Sequence, residues 1–368
     1  MFELTNEQRK CFGLRPVEDH WVRLEPKPSP YSHHTTLAYL DGNVIRRYIE
    51  TGENRYCEYE LCQPLSDDGK YLLPKTEKGK PVLLTAASLG KRTGIGMCLS
   101  YSRHTTGHSY MDLYSHDTQK CYYSNWCEPL CTEGIRDFQQ WVVDWCAETT
   151  EADIADVAAF AAEPRRHVKF REGDIFRYKI NRRLYGYGRI LLDYERMRKN
   201  KEDFWDILMG KPLVCSVYHI ATERRDVTIE DLRGYQALPS QFVMDNCLYY
   251  GEYEIIGNIP VREYEDYPIM YGKSLTFRSS AVHLQCGKMH YQKPIAAELF
   301  REFGNNAIGY RPRFTMSILL ECIAQNSNAP YWSQDNWQVN RDLRNPKFRA
   351  ELERVCKQFN IEMSQLIK

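Results

Sequence analysis

Residues 169–193 constrain the fold of this chain most strongly, because their side chains follow the two-residue period of a β-strand. Phe176, Tyr178 and Ile180 alternate with arginine and lysine, as expected when one strand face is buried and the other meets solvent. The chain then turns and returns through the Tyr-Gly-Tyr-Gly run of residues 185–188. The segment predicts a β-hairpin in which two glycines leave room for another backbone or a bulge beside aromatic rings.

Residues 1–163 are expected to form a separate, β-rich N-terminal domain. Asp41-Gly42 lies between apolar runs, which is a strong signal for a tight hairpin turn. Further strands are expected at residues 56–61, 71–73 and 97–101.

Two helices are predicted to close this domain. Apolar residues recur at three- and four-residue spacing from Ile135 to Trp145, the stripe of an amphipathic helix. A second helix is expected after Thr150, because Asp153 follows at the spacing of a helix-capping pair. Pro164 marks the predicted boundary.

A helical C-terminal extension is predicted for residues 294–368. Residues 318–323 suggest one helix, and Asn345-Pro346 suggests the start of another, which is followed by an apolar stripe. The stretch between them, residues 326–337, is predicted to be a loop with exposed aromatic side chains. The predicted fold class is therefore α+β, with a mainly antiparallel β domain between the N-terminal domain and this extension.

Charge and hydropathy exclude several classes of partner. The chain has 49 basic and 49 acidic residues among 368, so no overall field directs it toward nucleic acid or a membrane. No apolar run approaches the roughly 18 residues that a membrane span requires, and the start of the sequence lacks a signal-peptide pattern. A cytoplasmic protein without a membrane partner is expected.

Neither cofactor nor metal is predicted. The thirteen cysteines include no CxxC pair, which disfavours a zinc ribbon or finger. His104, His108, Asp112 and His116 recur every four residues. The local threonines and glycine disfavour a helix, and on a strand these side chains spread over roughly 40 Å, too far for one ion.

No catalytic residue is predicted either. The nucleophile elbow, the phosphate-binding loop, HExxH and the EF-hand pattern are all absent from the sequence. An enzyme would have to use His219 or His283 with an acidic partner, and the spacing does not favour this over histidines that simply satisfy hydrogen bonds in a sheet.

Several ordered motifs carry a family resemblance. The hairpin, the Phe-Trp-Asp-Ile-Leu-Met-Gly-Lys-Pro run of residues 204–212, the strand at 213–220, Leu-Pro-Ser at 238–240 and residues 249–257 together resemble the bacterial immunity protein 26 family. We place this domain at residues 165–293. The resemblance implies a polymorphic-toxin immunity protein whose partner is a cognate toxin, which it inhibits by stoichiometric binding.

Charge is segregated within the family-like domain. Residues 164–201 contain 13 basic and 4 acidic residues, whereas residues 245–267 contain 6 acidic and 1 basic. If the toxin is a nuclease, the acidic segment could cover its basic cleft. The residues proposed to contact the partner are Tyr250, Glu252, Tyr253, Glu254, Glu263, Glu265 and Asp266. Alternatively, these charges pair across the sheet or with the basic block.

Two other functions stay open at this point. The immunity family has also been linked to organophosphate hydrolysis, so a metal-dependent or organophosphate-type hydrolase is one alternative. The other is a nucleic-acid-binding module that uses residues 164–201, with Phe176, Tyr185 and Tyr187 stacking on bases. Inward packing explains these aromatic residues more simply, so nucleic acid is not the expected partner.

Overall fold

The computed structural model of the chain describes residues 2–28, 33–194, 212–262, 265–272, 281–295, 302–303 and 314–367. Two units are separated by their contacts: unit 1 contains Met1–Arg166 and Asn181–Arg183, and unit 2 contains His167–Ile180 and Leu184–Lys368. The three domain ranges expected from the sequence stay a prediction.

An antiparallel sheet forms the centre of unit 1. Its strands are β1 (Val22–Leu24), β2 (Thr35–Asp41), β3 (Val44–Gly52), β4 (Arg55–Pro64), β7 (Ile95–Arg103), β8 (His108–Ser115), β9 (Cys121–Ser124) and β10 (Leu130–Cys131), and a small separate pair is formed by β5 (Tyr71–Leu72) and β6 (Val82–Leu83). Among the described residues the order is β1-β2-β3-β4-β7-β8-β10, with β9 also on β8. The hairpin predicted at Asp41-Gly42 is confirmed, and Gly42 has a φ of +57°, which glycine adopts without strain.

Both faces of this sheet are covered. The helices of unit 1 are α1 (Asn6–Cys11), α2 (Ala86–Leu89), α3 (Ile135–Ala147) and α4 (Glu151–Ala161). Phe138 and Val142 of α3 pack with Leu99 in one core, while Cys98, the preceding residue on β7, packs with Leu89 in the core on the other side. Both predicted helices are confirmed, and the Thr150 hydroxyl accepts a hydrogen bond from the Asp153 amide at 3.3 Å.

A five-stranded antiparallel sheet contains the predicted hairpin of unit 2. Its strands are β11 (Asp174–Lys179), β12 (Tyr185–Asp193), β13 (Pro212–Thr222), β14 (Gln241–Met244) and β15 (Glu254–Asn258), in the order β14-β13-β12-β11-β15. The pairing register shifts between Gly186 and Gly188, which is the irregularity that the two glycines predicted. The motif at residues 204–212 lies outside the described residues except for Pro212.

The second face of β11 is less open than its sequence suggested. Arg177 and Lys179 are partly buried, because Val227 and Leu232 pack over the neighbouring Tyr187 on this side of the sheet. The alternation therefore separates two cores, and solvent reaches this face only in part.

Short helices complete unit 2. They are α5 (Ile229–Leu232), α6 (Asn246–Tyr249), α7 (Met316–Gln325), α8 (Ala329–Trp332) and α9 (Arg349–Phe359). The predicted helix at residues 318–323 is confirmed as α7, whose Leu319 and Cys322 pack in the same core as Phe176. The predicted loop is wrong in part, because α8 forms inside it and Tyr331 is buried in that core.

A three-stranded sheet with α9 forms a further core in unit 2. Its strands are β16 (Ile269–Gly272), β17 (Ala281–Cys286) and β18 (Met289–Pro294), paired in that order. Leu352 and Val355 of α9 pack against β17. The helix predicted after Asn345-Pro346 is confirmed, although it starts with a 3-10 turn at Pro346–Phe348. Antiparallel sheets with a helical C-terminal region confirm the predicted α+β class.

Candidate partner-binding site

Glu254 lies at the start of β15, the edge strand beside β11. The register places it directly opposite Arg177, and the two side chains form an ion pair in which the Glu254 side chain is still 53% exposed. Opposite charges at such a position stabilise a strand pair modestly. The predicted contact residue is thus available to a partner, but its charge is already balanced.

Glu265 and Asp266 are held by arginines that are themselves buried. Arg189 Nη2 lies 3.1 Å from Glu265 Oε1, and Arg344 Nη1 lies 2.8 Å from Asp266 Oδ2. Asp266 also accepts a hydrogen bond from the Ser240 amide at 2.7 Å, and its side chain is 51% exposed. Both carboxylates therefore anchor the chain locally, and only Asp266 also leaves about half of its side chain exposed.

The remaining predicted contact residues have different surroundings. Tyr250 follows α6 and is half-buried beside Tyr249, with ring centroids 5.2 Å apart. Tyr253 is buried and stacks on Phe176 at 5.1 Å, because it completes the core under the sheet. Glu252 is half-buried, and Glu263 lies outside the described residues. Of the two predicted tyrosines, only Tyr250 has a side chain that a partner could contact without opening the core.

The predicted acidic segment is therefore not a free negative surface. Arg177 and Arg189 both belong to the basic block at residues 164–201, so pairing with that block, the alternative drawn from the sequence, holds for Glu254 and Glu265. The role of the seven residues in partner binding stays a prediction.

A cavity of about 840 Å³ lies beside Glu265 in unit 2. Four stretches far apart in sequence form its walls: residues before β11, the segment after β15, the β17–β18 turn and the end of the described chain. Its lining includes Arg171, Glu172, Asn258, Pro260, Val261, Arg262, Glu265, Tyr267, Cys286, Lys288, Met289, Ser364, Gln365, Leu366 and Ile367. A volume of this order is typical of ligand-binding clefts, roughly 300–1,000 Å³.

Two groups of the cavity lining, a thiol and a phenol, keep their protons near neutral pH. Burial raises the pKa of the Cys286 thiol to about 12, and burial together with the nearby Glu265 carboxylate raises the pKa of Tyr267 to about 12. Both groups are therefore neutral near pH 7, whereas a thiol acts as a nucleophile only when ionised. The lining provides charge and shape for binding.

The two histidines considered for hydrolysis contact an asparagine and another histidine. His219 Nε2 lies 2.8 Å from the Asn328 amide oxygen, and His283 Nδ1 lies 2.9 Å from His290 Nε2. His108 and Asp112 lie along the extended β8 in unit 1, as the strand interpretation predicted. In the part of the chain that the structure describes, no three His, Cys, Asp or Glu side chains are grouped so that they could hold a metal ion.

The aromatic residues of the basic block point inward. Phe176, Tyr185 and Tyr187 are buried, which confirms the packing interpretation and leaves no ring face on which a base could stack. The Arg225 guanidinium lies 4.9 Å from the Tyr185 ring centroid, so a cation–π contact adds to this packing. None of the described helices is both long enough and apolar enough to cross a bilayer.

Unit 2 thus combines an antiparallel sheet with partly exposed charged residues and a cleft. Residues 171–281 match the family model described as Immunity protein 26, which confirms the resemblance drawn from the hairpin and its neighbouring motifs. The match covers less than a third of the 368 residues, and it connects this segment with immunity proteins of toxin systems. No curated protein and no solved structure matches the chain.

Sequence reasoning missed the cavity and the arginines that position the acidic residues. Arg344 lies 78 residues from Asp266 along the chain, and residues 364–367 lie far from the other walls of the cavity. No local pattern joins such distant positions. The excess of arginine and lysine in residues 164–201 indicated that this block could pair with the acids, but it did not single out Arg177 or Arg189.

Proposed function

We propose that this chain is a bacterial cytoplasmic immunity protein that neutralises a cognate toxin of a polymorphic toxin system by stoichiometric binding, without turnover. The match of residues 171–281 to the immunity protein 26 family carries this proposal. The cavity chemistry agrees with it, because the Cys286 thiol and the Tyr267 hydroxyl stay protonated near neutral pH.

A rigid surface suits this mechanism. The central strand β12 is buried along nearly its whole length. The acids around it are held by Arg177 of β11, Arg189 of β12 and Arg344 of the C-terminal region. A surface that is already ordered loses less conformational freedom on binding, so it binds more tightly than a mobile one.

The finer proposal is that the toxin is a nuclease whose basic cleft meets Glu254, Asp266 and Tyr250. Glu254 and Asp266 each leave about half of their side chain exposed, 53% and 51%, and Tyr250 adds partly exposed aromatic area. Aromatic and charged residues of this kind dominate the energy of many interfaces.

The test is co-expression of the full chain with the toxin encoded next to its gene, followed by a growth assay and size-exclusion chromatography of the mixture. We expect rescue of growth together with a stable stoichiometric complex. Rescue without a complex would contradict inhibition by binding and indicate an enzyme that reverses the toxin's effect. Absence of rescue would contradict the proposal as a whole.

A charge reversal then tests the acidic surface. Glu254→Lys is expected to weaken toxin binding, chiefly through slower association. Glu353→Lys is the matched control, because Glu353 is similarly exposed, 51%, and also pairs with an arginine. Equal binding by the two variants would remove Glu254 from the interface.

A further inference from the structure

The cavity beside Glu265 is lined in part by apolar side chains. Pro260, Val261, Met289, Leu366 and Ile367 contribute carbon surface to its walls. A cleft of about 840 Å³ with such a lining can bury the side chains of a short peptide or a comparable ligand. Burial of this apolar surface would supply the non-directional part of the binding energy.

The cations at this cavity are weakly engaged. Arg171 Nε lies 3.7 Å from Asp174 Oδ1 with its side chain 68% exposed, and Lys288 Nζ lies 3.6 Å from Glu172 Oε2 with its side chain 65% exposed. Exposed pairs at such distances contribute about 0–1 kcal/mol. Among the described residues, the Arg262 side chain has no ion pair at all. All three cations can therefore turn to an incoming anion at little cost.

The acids at the cavity are committed to the protein itself. Glu172 Oε1 accepts a hydrogen bond from the Asp193 amide at 3.2 Å. Glu265 pairs with Arg189 at 3.1 Å and accepts from the Arg262 amide at 2.9 Å. Because the carboxylates are tied inward and the cations are exposed, the mouth of the cavity favours a negatively charged group.

We infer that this cavity binds a peptide segment in which carboxylate side chains alternate with apolar ones. The apolar side chains would pack against the apolar part of the lining, and the carboxylates would meet the exposed Arg171, Arg262 and Lys288. Arginine can bind a carboxylate through two parallel hydrogen bonds, which adds geometric selectivity to the charge. The assignment of this peptide to the toxin rests on the proposed function. The cationic cavity would then be a second toxin contact, opposite in charge to the acidic contact at Glu254 and Asp266.

The test uses a defined probe and the full chain. Fluorescence anisotropy would measure binding of a labelled five-residue peptide that alternates leucine with glutamate, and of its leucine–lysine counterpart. The intact protein should bind the glutamate peptide and discriminate against the lysine peptide. The double variant Arg262→Glu with Lys288→Glu should bind the glutamate peptide roughly tenfold or more weakly and should lose the discrimination.

The matched control is Arg349→Glu, which reverses an exposed cation on α9 that also pairs with a glutamate and does not line the cavity. Its affinity for the glutamate peptide should equal that of the intact protein. The inference is overturned if the intact protein does not prefer the glutamate peptide, or if the control loses as much affinity as the double variant. Thermal unfolding of each variant shows that a loss of binding is not a loss of fold.

The growth assay and the peptide-binding assay together separate a failure of the cavity inference from a failure of the proposed function. If the double variant still rescues growth with the toxin and forms the complex, the cavity is not the toxin contact, while inhibition by binding stands. If the glutamate peptide binds in the expected manner but the toxin is not neutralised, the proposed function fails and the cavity keeps its preference for acidic peptides.

Discussion

Phe176 occupies the space that a side chain at Gly188 would need. The two residues are directly opposite each other on β11 and β12, and a Cβ atom on Gly188 would lie 2.4 Å from the Phe176 ring and 2.7 Å from the Ser216 carbonyl oxygen. Gly186 has the same relationship with the Tyr178 ring, at 2.5 Å. The repeated glycine therefore lets two aromatic rings lie flat across the central strand and fixes the register of the hairpin.

Gly188→Ala should destabilise unit 2. The new methyl group meets a ring on one side and a backbone oxygen on the other, so neither can move away without disturbing the sheet, and overpacking of this kind costs about 1–3 kcal/mol. Urea unfolding followed by tryptophan fluorescence would measure the loss.

Gly234→Ala is the control for that substitution, because a Cβ atom there would meet nothing within 4 Å. Its unfolding should be close to that of the intact protein. If Gly188→Ala unfolds at the same urea concentration as the control, the glycine–ring contact does not determine the stability of the sheet.

Regular elements with strong local signals were predictable. The α3 stripe, the Thr150 cap and the β11–β12 hairpin follow from residues close in sequence, whose periodicity reflects which face is buried. The small helix α8 was missed because tertiary packing of Tyr331 stabilises a turn that Asn, Ser and Pro would otherwise favour as loop.

The candidate site was only partly predictable, for a physical reason. The sequence indicated an acidic segment and a basic block, but ion pairs such as Arg344 with Asp266 join residues that only the fold brings together. Burial also changes roles: Tyr253 looks like a contact residue in sequence and is a core residue in the structure. The side chains that remain on the surface depend on which ones are buried in the core.

Arg344→Lys should destabilise unit 2 more than its conservative character suggests. The buried guanidinium donates to Asp342 Oδ2 at 2.6 Å, to Asp266 Oδ2 at 2.8 Å and to the Ser240 carbonyl oxygen at 2.8 Å. Lysine cannot reproduce this planar set of donors, and leaving buried acceptors unpaired costs about 1–3 kcal/mol. Calorimetric unfolding would measure this loss of stability. A loss no larger than that of Arg349→Lys, in an exposed pair, would contradict this role.

Glu58→Gln should destabilise unit 1. Glu58 is fully buried on β4, where Oε1 lies 2.7 Å from Arg9 Nε and 3.5 Å from Arg47 Nε. Removing the negative charge leaves two buried guanidinium groups without their counter-ion, and breaking a buried pair in this way costs about 3–5 kcal/mol. Arg9 belongs to α1, so hydrogen exchange should show α1 opening first. Unchanged exchange in α1 would show that the pair does not hold this helix.

The stability of unit 2 should fall as the pH drops below about 6.5, the pKa of an ordinary histidine side chain, because of His283. Burial lowers the pKa of this histidine in the folded chain below its usual 6.5, whereas the unfolded chain binds the proton with an ordinary pKa. The contribution of His283 to stability is therefore complete above about pH 6.5 and is lost as the pH falls toward the folded pKa. One such group contributes a slope of at most about 1.4 kcal/mol per pH unit. His283→Gln should reduce this slope in urea titrations between pH 7.5 and 5.5. The exposed His167 provides the control substitution, His167→Gln, and an identical slope in both variants would assign the pH dependence to other groups.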